Sequence, residues 1–331
     1  MKKVFLTALP KTNRKTLLKA LEERYPQKIK VYFIGEELEK IFENLKIKIN
    51  FSNILNLYSD YRRMALSTTF EKIIKDFEKN ANEKHIIIES HNWFLLKHLS
   101  KKGFNSYDLE KYNPDIYMTY YESPIKALEN LKKDEKWRYL TLEKVILWQD
   151  FECETNESNA EKDGKKHHVI FETDTLENII DLIEGNKPIA YISFPMTNLP
   201  DKKKKKIKSF IEKLRKYFIL RVPVEDKIEF ASSDKKNKAI ISAEIVKRDL
   251  HWFVRKSDIV ISNIPELVFT QGVISEIKEG YDNTKYVFVV GSKKLMGPFE
   301  QFYRNRYFPN EDKFFNWLDK NYDKLKKEIC K

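Results

Sequence analysis

The chain has 331 residues, 62 Lys+Arg against 50 Asp+Glu for a net charge of +12, and 41% hydrophobic residues. That length favours two domains, each able to bury a core, and with no uncharged apolar run of about 18 residues a membrane-spanning helix is not expected. The two cysteines, Cys153 and Cys330, lie far apart without a CxxC pair, and only His167 and His168 among six histidines are adjacent, so neither a disulfide framework nor a metal site is expected.

Short apolar strand candidates alternate with amphipathic helices, the pattern of an α/β protein with two doubly wound domains, each a mostly parallel sheet with helices on both faces. In the first half the strands are expected at 3–9, 30–35, 85–90, 115–120 and 167–173, with helices near 13–24, 62–80, 123–133, 141–160 and 174–184. The apolar stretch of MKKVFLTALP is too short for a signal peptide and runs into the charged TNRKTLLKA, so a cytoplasmic chain is expected. EGNKP (184–188) punctuates the chain and sets the expected domains at 1–186 and 187–331. The second half then offers strands at 189–194, 218–223, 258–264 and 285–290, with helices near 201–217, 243–256, 273–280 and 311–328. The basic run DKKKKKIKSF (201–210) leads into Ile207, Phe210, Ile211 and Leu214 at helical spacing, so its lysines are expected on a solvated helix face, with a polyphosphate-binding stripe as the alternative.

The loop ALPKTNRKT (8–16) follows the first strand, where a phosphate-binding loop would present backbone N–H groups and a lysine. Set on GxxxxGK[ST], its glycine positions hold Ala8 and Asn13, the lysine position Arg14 and the hydroxyl position Lys15. With HIIIESH (85–91), DIYMTYYESP (115–124), HHVIFETDTLENIIDLI (167–183) and a lid-like WRYLTLEKVILWQ (137–149), residues 1–185 resemble the adenylate-kinase-like branch of P-loop kinases with a degenerate loop. Without the magnesium-binding hydroxyl, phosphoryl transfer loses its charge neutralisation, so the resemblance implies a nucleotide-binding or regulatory domain. A shifted alignment uses Arg14, Lys15 and Thr16 as the nucleotide-binding group and leaves ATP and Mg²⁺ open as cofactors. Arg62 and Arg63, at the start of the helix expected near 62–80, are either surface residues or phosphate contacts.

In the second half, TQGVISEI (270–277) places Gly272 and Glu276 at a strand-to-helix turn. A helix N-terminus with a glycine and the Thr270 hydroxyl suits an anionic group, and open α/β sheets bind ligands at the carboxyl ends of their strands. Tyr191 on the first strand, Asp249 in RDLHW, Ser257-Asp258 before IVISNI, and Thr270-x-Gly272-x-x-x-Glu276 together resemble the nucleoside 2-deoxyribosyltransferase superfamily. They most resemble its 2'-deoxynucleoside 5'-monophosphate N-glycosidase branch, over residues 188–331.

That resemblance implies Glu276 as the nucleophile at the anomeric carbon, Asp249 assisting departure of the base or binding the sugar, and Tyr191 orienting the glutamate. It places Thr270, Gly272 and Ser193 at the substrate phosphate, requires no cofactor or metal, and implies at least a dimer. The chain departs from the family at YISFPMTN (191–198), which lacks a glycine-rich turn. The expected function is cleavage of the base–sugar bond of a nucleoside 5'-phosphate. The alternatives are a nucleotide kinase acting through the first half and a non-catalytic nucleotide-sensing protein. A nucleic-acid binder ranks last, because Trp252, Phe253, Tyr281 and Tyr286 fall within expected elements rather than along a lysine-lined loop.

Overall fold

A computed structural model describes residues 1–46, 55, 59–79, 84–195, 200–223, 235–265, 271–292, 294 and 297–329. The chain forms two units, Met1–Ile179 and Ile180–Lys331. Among the described residues, no helix is long and apolar enough to cross a membrane.

The first unit runs β1 (Lys3–Ala8), α1 (Arg14–Arg24), β2 (Ile29–Phe33), α2 (Ile34–Asn44), α3 (Ser59–Lys79) and β3 (His85–Ser90). After an antiparallel hairpin, β4 (Trp93–Leu95) with β5 (Ser100–Lys102), come α4 (Ser106–Tyr112), β6 (Ile116–Tyr121), α5 (Pro124–Lys132), α6 (Leu142–Asp163) and β7 (Lys166–Phe171), and α7 (Leu176–Glu184) runs across the division between the units, ahead of the boundary expected at 186–187. Five parallel strands pair in the order β2-β3-β1-β6-β7. Helices cover both faces, which is why strands such as HIIIES read as continuous apolar runs rather than alternating ones. The turn from central β1 into α1 carries the loop ALPKTNRKT.

Several segments of this unit differ from the sequence reading: the hairpin β4–β5 and α4 were not expected, and two further segments change type. The second strand ends at Phe33, and Ile34 begins α2, where Glu36 and Glu37 complement the helix dipole and Ile34, Leu38, Ile41 and Phe42 face the core. The lid-like stretch 137–149 is part of a core: Trp137, Leu140, Val145 and Trp148 pack with Leu9, Ala127 and Leu131. Thr141 caps the helix that follows, and Gly164, at φ 64°, ends it.

The second unit comprises β8 (Ile189–Ser193), α8 (Asp201–Leu214), β9 (Ile219–Arg221), α9 (Lys235–Lys247), a π-helical turn (Arg248–Val254), β10 (Ile259–Ile264) and α10 (Gln271–Asp282). It closes with β11 (Tyr286–Gly291), α11 (Pro298–Phe302), β12 (Arg306–Phe308) and α12 (Glu311–Ile329). The parallel order is β12-β11-β10-β8-β9. Renumbered within the unit this is 2-1-3-4-5, one of the two common doubly wound orders. Both units therefore have the expected class. On one sheet face Ala190, Ile192, Ile261 and Phe288 pack against Phe210 and Leu214 of α8 and Phe314 and Leu318 of α12. Lys204, Lys205, Lys206 and Lys208 lie on the exposed side of α8, as the spacing required.

Candidate functional site

In the 2-1-3-4-5 order the chain reverses its winding between the first and third strands, here β8 and β10, and the crevice at their carboxyl ends is where such sheets bind ligands. Strand alternation sends Ala190 and Ile192 into the hydrophobic core and Tyr191 and Ser193 to the opposite face. There Val260 lies beside Tyr191 and Ser262 beside Ser193 in parallel register.

Helix α10 covers that face. A side-chain carbon at Gly280 would stand 2.6 Å from Val260 Cγ2, so glycine is what lets the helix approach β10 this closely. Glu276, one turn earlier, is buried, and the Ser193 hydroxyl donates to its Oε2 at 2.5 Å. Burial is the main influence on the Glu276 carboxyl and raises it to about 7. The Ser193 hydrogen bond, and the nearby Tyr191 hydroxyl, pull the other way, and the Asp249 charge adds to the rise.

Tyr191 is fully buried, and its hydroxyl is raised well above its ordinary value by burial first, then by the charges of Glu276 and Asp249. Its Oη lies near enough to Glu276 for each to perturb the other, but the geometry falls short of a full hydrogen bond. Asp249 arrives from the π-helical turn, an expanded turn of the kind often found at functional sites. Arg248 Nε and Nη2 both donate to Asp249 Oδ1, at 3.0 and 2.8 Å. Burial raises the Asp249 carboxyl, with Arg248 opposing. The Arg248 guanidinium sits 4.9 Å from the Phe253 ring centre, and Phe253 in turn lies 6.3 Å from the Tyr191 ring.

The structure thus brings Tyr191, Ser193, Asp249 and Glu276 into one buried group. Ser193 differs from its expected role: its hydroxyl proton is directed to Glu276 rather than left for a substrate phosphate, because the alternation that carries Tyr191 to this face carries Ser193 beneath α10. Gly272 lies in the first turn of α10, where a side-chain carbon would meet nothing within 4 Å among the described residues, so no contact among them dictates glycine there. Thr270 lies outside the described residues. Arg248 was missed in the sequence, although the only signal, a basic residue directly before Asp249 in RDLHW, was in view.

In the first unit, Arg14 begins α1 at the position of the kinase lysine, but its cationic head is taken up internally. Nε pairs with buried Glu89, Nη1 donates to the Leu9 carbonyl at 3.0 Å, and Nη2 donates to His91 Nε2 at 3.0 Å. His91 Nδ1 in turn donates to the Ala8 carbonyl at 2.6 Å; burial above all, then Arg14, keeps the ring neutral. The Asn13 N–H, which would face a phosphate, donates instead to Glu122 Oε1 at 3.2 Å. Lys15 pairs with Glu36, and Thr16 is on the exposed side of α1. These residues do not fit a magnesium-bound triphosphate held in the manner of a P-loop, since the loop's own carboxylate and arginine partners already occupy its donors.

No protein-family model matches the chain, and no curated protein matches it. Among solved structures, a conserved protein from Enterococcus faecalis V583 is 17% identical with a TM-score of 0.29, covering 41% of this chain and 99% of its own. A shikimate kinase from Bacteroides thetaiotaomicron is 12% identical with a TM-score of 0.36, covering 55% of this chain and 98% of its own. A gluconokinase from Sinorhizobium meliloti 1021 is 12% identical with a TM-score of 0.29, covering 56% and 90%.

Proposed function

We propose that the second unit cleaves the N-glycosidic bond of a nucleoside 5'-phosphate. One observation carries this reading: a buried glutamate at the β8–β10 switch point is oriented by Ser193 and lies in the electrostatic reach of Tyr191 and Asp249. In the proposed reaction the Glu276 carboxylate attacks C1' of the sugar while the C1'–N bond breaks through an oxocarbenium-like transition state. Asp249, ionised in its pair with Arg248, stabilises the positive charge that develops on the sugar as the base departs, and the base takes its proton from solvent. The glycosyl ester on Glu276 then opens when water adds to C1', its proton passing to solvent as the Glu276 carboxylate and the sugar phosphate are released. Ser193 keeps the Glu276 carboxylate aimed and favours its charged form.

From the sequence, Thr270 supplies the phosphate contact and the assembly is at least a dimer. Removing the Thr270 hydroxyl should then weaken a nucleotide far more than its nucleoside; equal weakening rejects that role. The reaction is tested by incubating the protein with nucleoside mono- and triphosphates and dinucleotides and measuring free base. Release that disappears in Glu276→Gln supports the reading, and release from no substrate removes it.

A second reading is nucleotide binding by the first unit without chemistry. It is favoured by a cavity of about 410 Å3 bordered by Arg14 and Lys15, in a unit of kinase-like strand order. Equilibrium binding of nucleotides to the Glu276→Gln protein tests it, with absence of any binding in the first unit as the contrary result.

A further inference from the structure

Helix α11 of the second unit is inverted. A surface helix ordinarily turns its apolar side chains to the core and its charges to water, yet here Glu300 is buried while Phe299 and Phe302 are 59% and 67% exposed. A buried charged group and an exposed large apolar patch are the informative departures from ordinary burial. Neither phenylalanine belongs to the core that joins the sheet to α8 and α12.

The exposed rings are collected into one patch. Tyr281, near the carboxyl end of α10, is 39% exposed, and its ring centre lies 6.0 Å from that of Phe302 and 5.5 Å from that of Tyr303. Phe302 and Tyr303 meet edge to face at 5.1 Å, and Phe299 lies nearly parallel to Tyr303, at 11° and 6.4 Å. Tyr281 falls inside α10 as the sequence suggests, but on the side that faces solvent. Each ring restricts its neighbours, so little side-chain freedom is left to lose when something binds.

Charge selects the partner. Residues 283–308 carry five basic residues, Lys285, Lys293, Lys294, Arg304 and Arg306, against one acid, the buried Glu300. The two α10 acids beside Tyr281 are already paired, Asp282 with Lys278 and Glu279 with Arg255. Cations also stand over the rings: Lys278 Nζ is 5.9 Å from the Tyr303 ring centre, and the Arg304 guanidinium is 5.0 Å from that of Tyr307. Two copies of one basic surface repel each other, whereas a polyanion is drawn to it. Aromatic faces beside cations hold single-stranded nucleic acid, the bases stacking on the rings and the phosphates meeting the basic groups. A duplex keeps its base faces inside its own stack and has none to offer.

We propose that the α10–α11 face of the second unit binds single-stranded nucleic acid, with bases stacked on Phe299, Phe302 and Tyr281 and phosphates on Lys278 and Arg304. This goes beyond the glycosidase reading and needs no chemistry at Glu276.

Fluorescence anisotropy of the full-length chain tests it, with labelled mixed-sequence DNA and RNA single strands of about 12 nucleotides and the same DNA annealed to its complement. At least one single strand should bind about tenfold tighter than the duplex or better, and Phe299→Ala and Phe302→Ala should each weaken it by about tenfold with an unchanged melting curve. Phe302→Trp should retain binding and Phe302→Leu should not, because stacking needs a π face and not merely an apolar side chain. Arg304→Gln should reduce the slope of log affinity against log salt by about 0.7, the share of one phosphate on a single strand. Absence of binding, equal affinity for the duplex, or indifference to both phenylalanine variants overturns the proposal. So does sedimentation in which those variants dissociate a dimer while oligonucleotide affinity stays unchanged, a result that assigns the patch to a second copy of the chain.

Discussion

Ser193 on β8 and Glu276 on α10, 83 positions apart in the chain, are joined by a 2.5 Å hydrogen bond in which the hydroxyl donates to the carboxylate. This contact ties the first strand of the second unit to the helix that follows β10, and it stabilises the charged form of a glutamate that burial otherwise drives toward neutrality. If the ionised form is the nucleophile, base release rises with pH through about 7. Removing one hydrogen bond to a charged group weakens that form by about 1.5–3 kcal/mol, so Ser193→Ala should move the acidic limb of the kcat profile upward by roughly one to two pH units. Activity near pH 7 then falls while activity at high pH is largely retained. A limb that stays in place would show that Ser193 serves packing alone.

The same carboxyl makes a stability prediction of opposite sense. Its folded value, about 7, lies above its ordinary value of 4.5, so between these the folded chain binds more protons than the unfolded one. The stabilisation from the neutral form is complete below about pH 4.5 and is lost as pH rises through about 7. Glu276→Gln removes the ionisation penalty, so thermal unfolding at pH 8 should show the variant stabilised by up to about 3 kcal/mol. Little difference is expected at pH 4.5. A variant that is less stable at pH 8 contradicts the burial assigned to Glu276.

Arg248 and Asp249 are neighbours in sequence whose side chains form a buried two-bond pair. Losing one member of a buried pair leaves an uncompensated charge, a loss of about 3–5 kcal/mol. Arg248→Ala should therefore destabilise the chain by that order in urea unfolding, and Arg248→Lys, without the fork, should recover only part of it. An effect below about 1 kcal/mol, the ordinary value for an exposed pair, would mean that the pair is solvated.

Much of this architecture was legible because its strands are short apolar runs between helical repeats. Tyr191, Asp249 and Glu276 were legible as types and in order, and the fold brings them together at one switch point. What escaped were features decided by packing rather than by local pattern. α2 begins at Ile34 because Glu36 and Glu37 suit a helix start while the apolar residues on either side read equally well as strand. The stretch 137–149 has the composition of a cover but sends two tryptophans into a core. Ser193 is indistinguishable from a phosphate ligand until its partner, 83 residues away, is known. The Arg14–Glu89 pair joins residues 75 positions apart, and nothing around Arg14 in the sequence announces that its charge is compensated.

That pair makes a prediction for the first unit. With Arg14 held by Glu89 and the Asn13 amide held by Glu122, magnesium-dependent ATP turnover should be at background, and Lys15→Ala should not change it. Glu89→Gln should destabilise the chain by about 3 kcal/mol, because Arg14 is left buried without its counter-charge. ATP turnover that vanishes in Lys15→Ala would instead restore the kinase reading.

The central claim is that Glu276 is a nucleophile acting on the sugar of a nucleotide. Rapid mixing of the full-length chain with a nucleoside 5'-monophosphate panel, followed by intact-protein mass measurement and base quantification, tests it most directly. The account predicts free base together with a transient adduct whose mass is that of the sugar phosphate, located on Glu276 and absent from Glu276→Gln. Base release that persists in Glu276→Gln, or its absence across the whole panel from a folded protein, contradicts it.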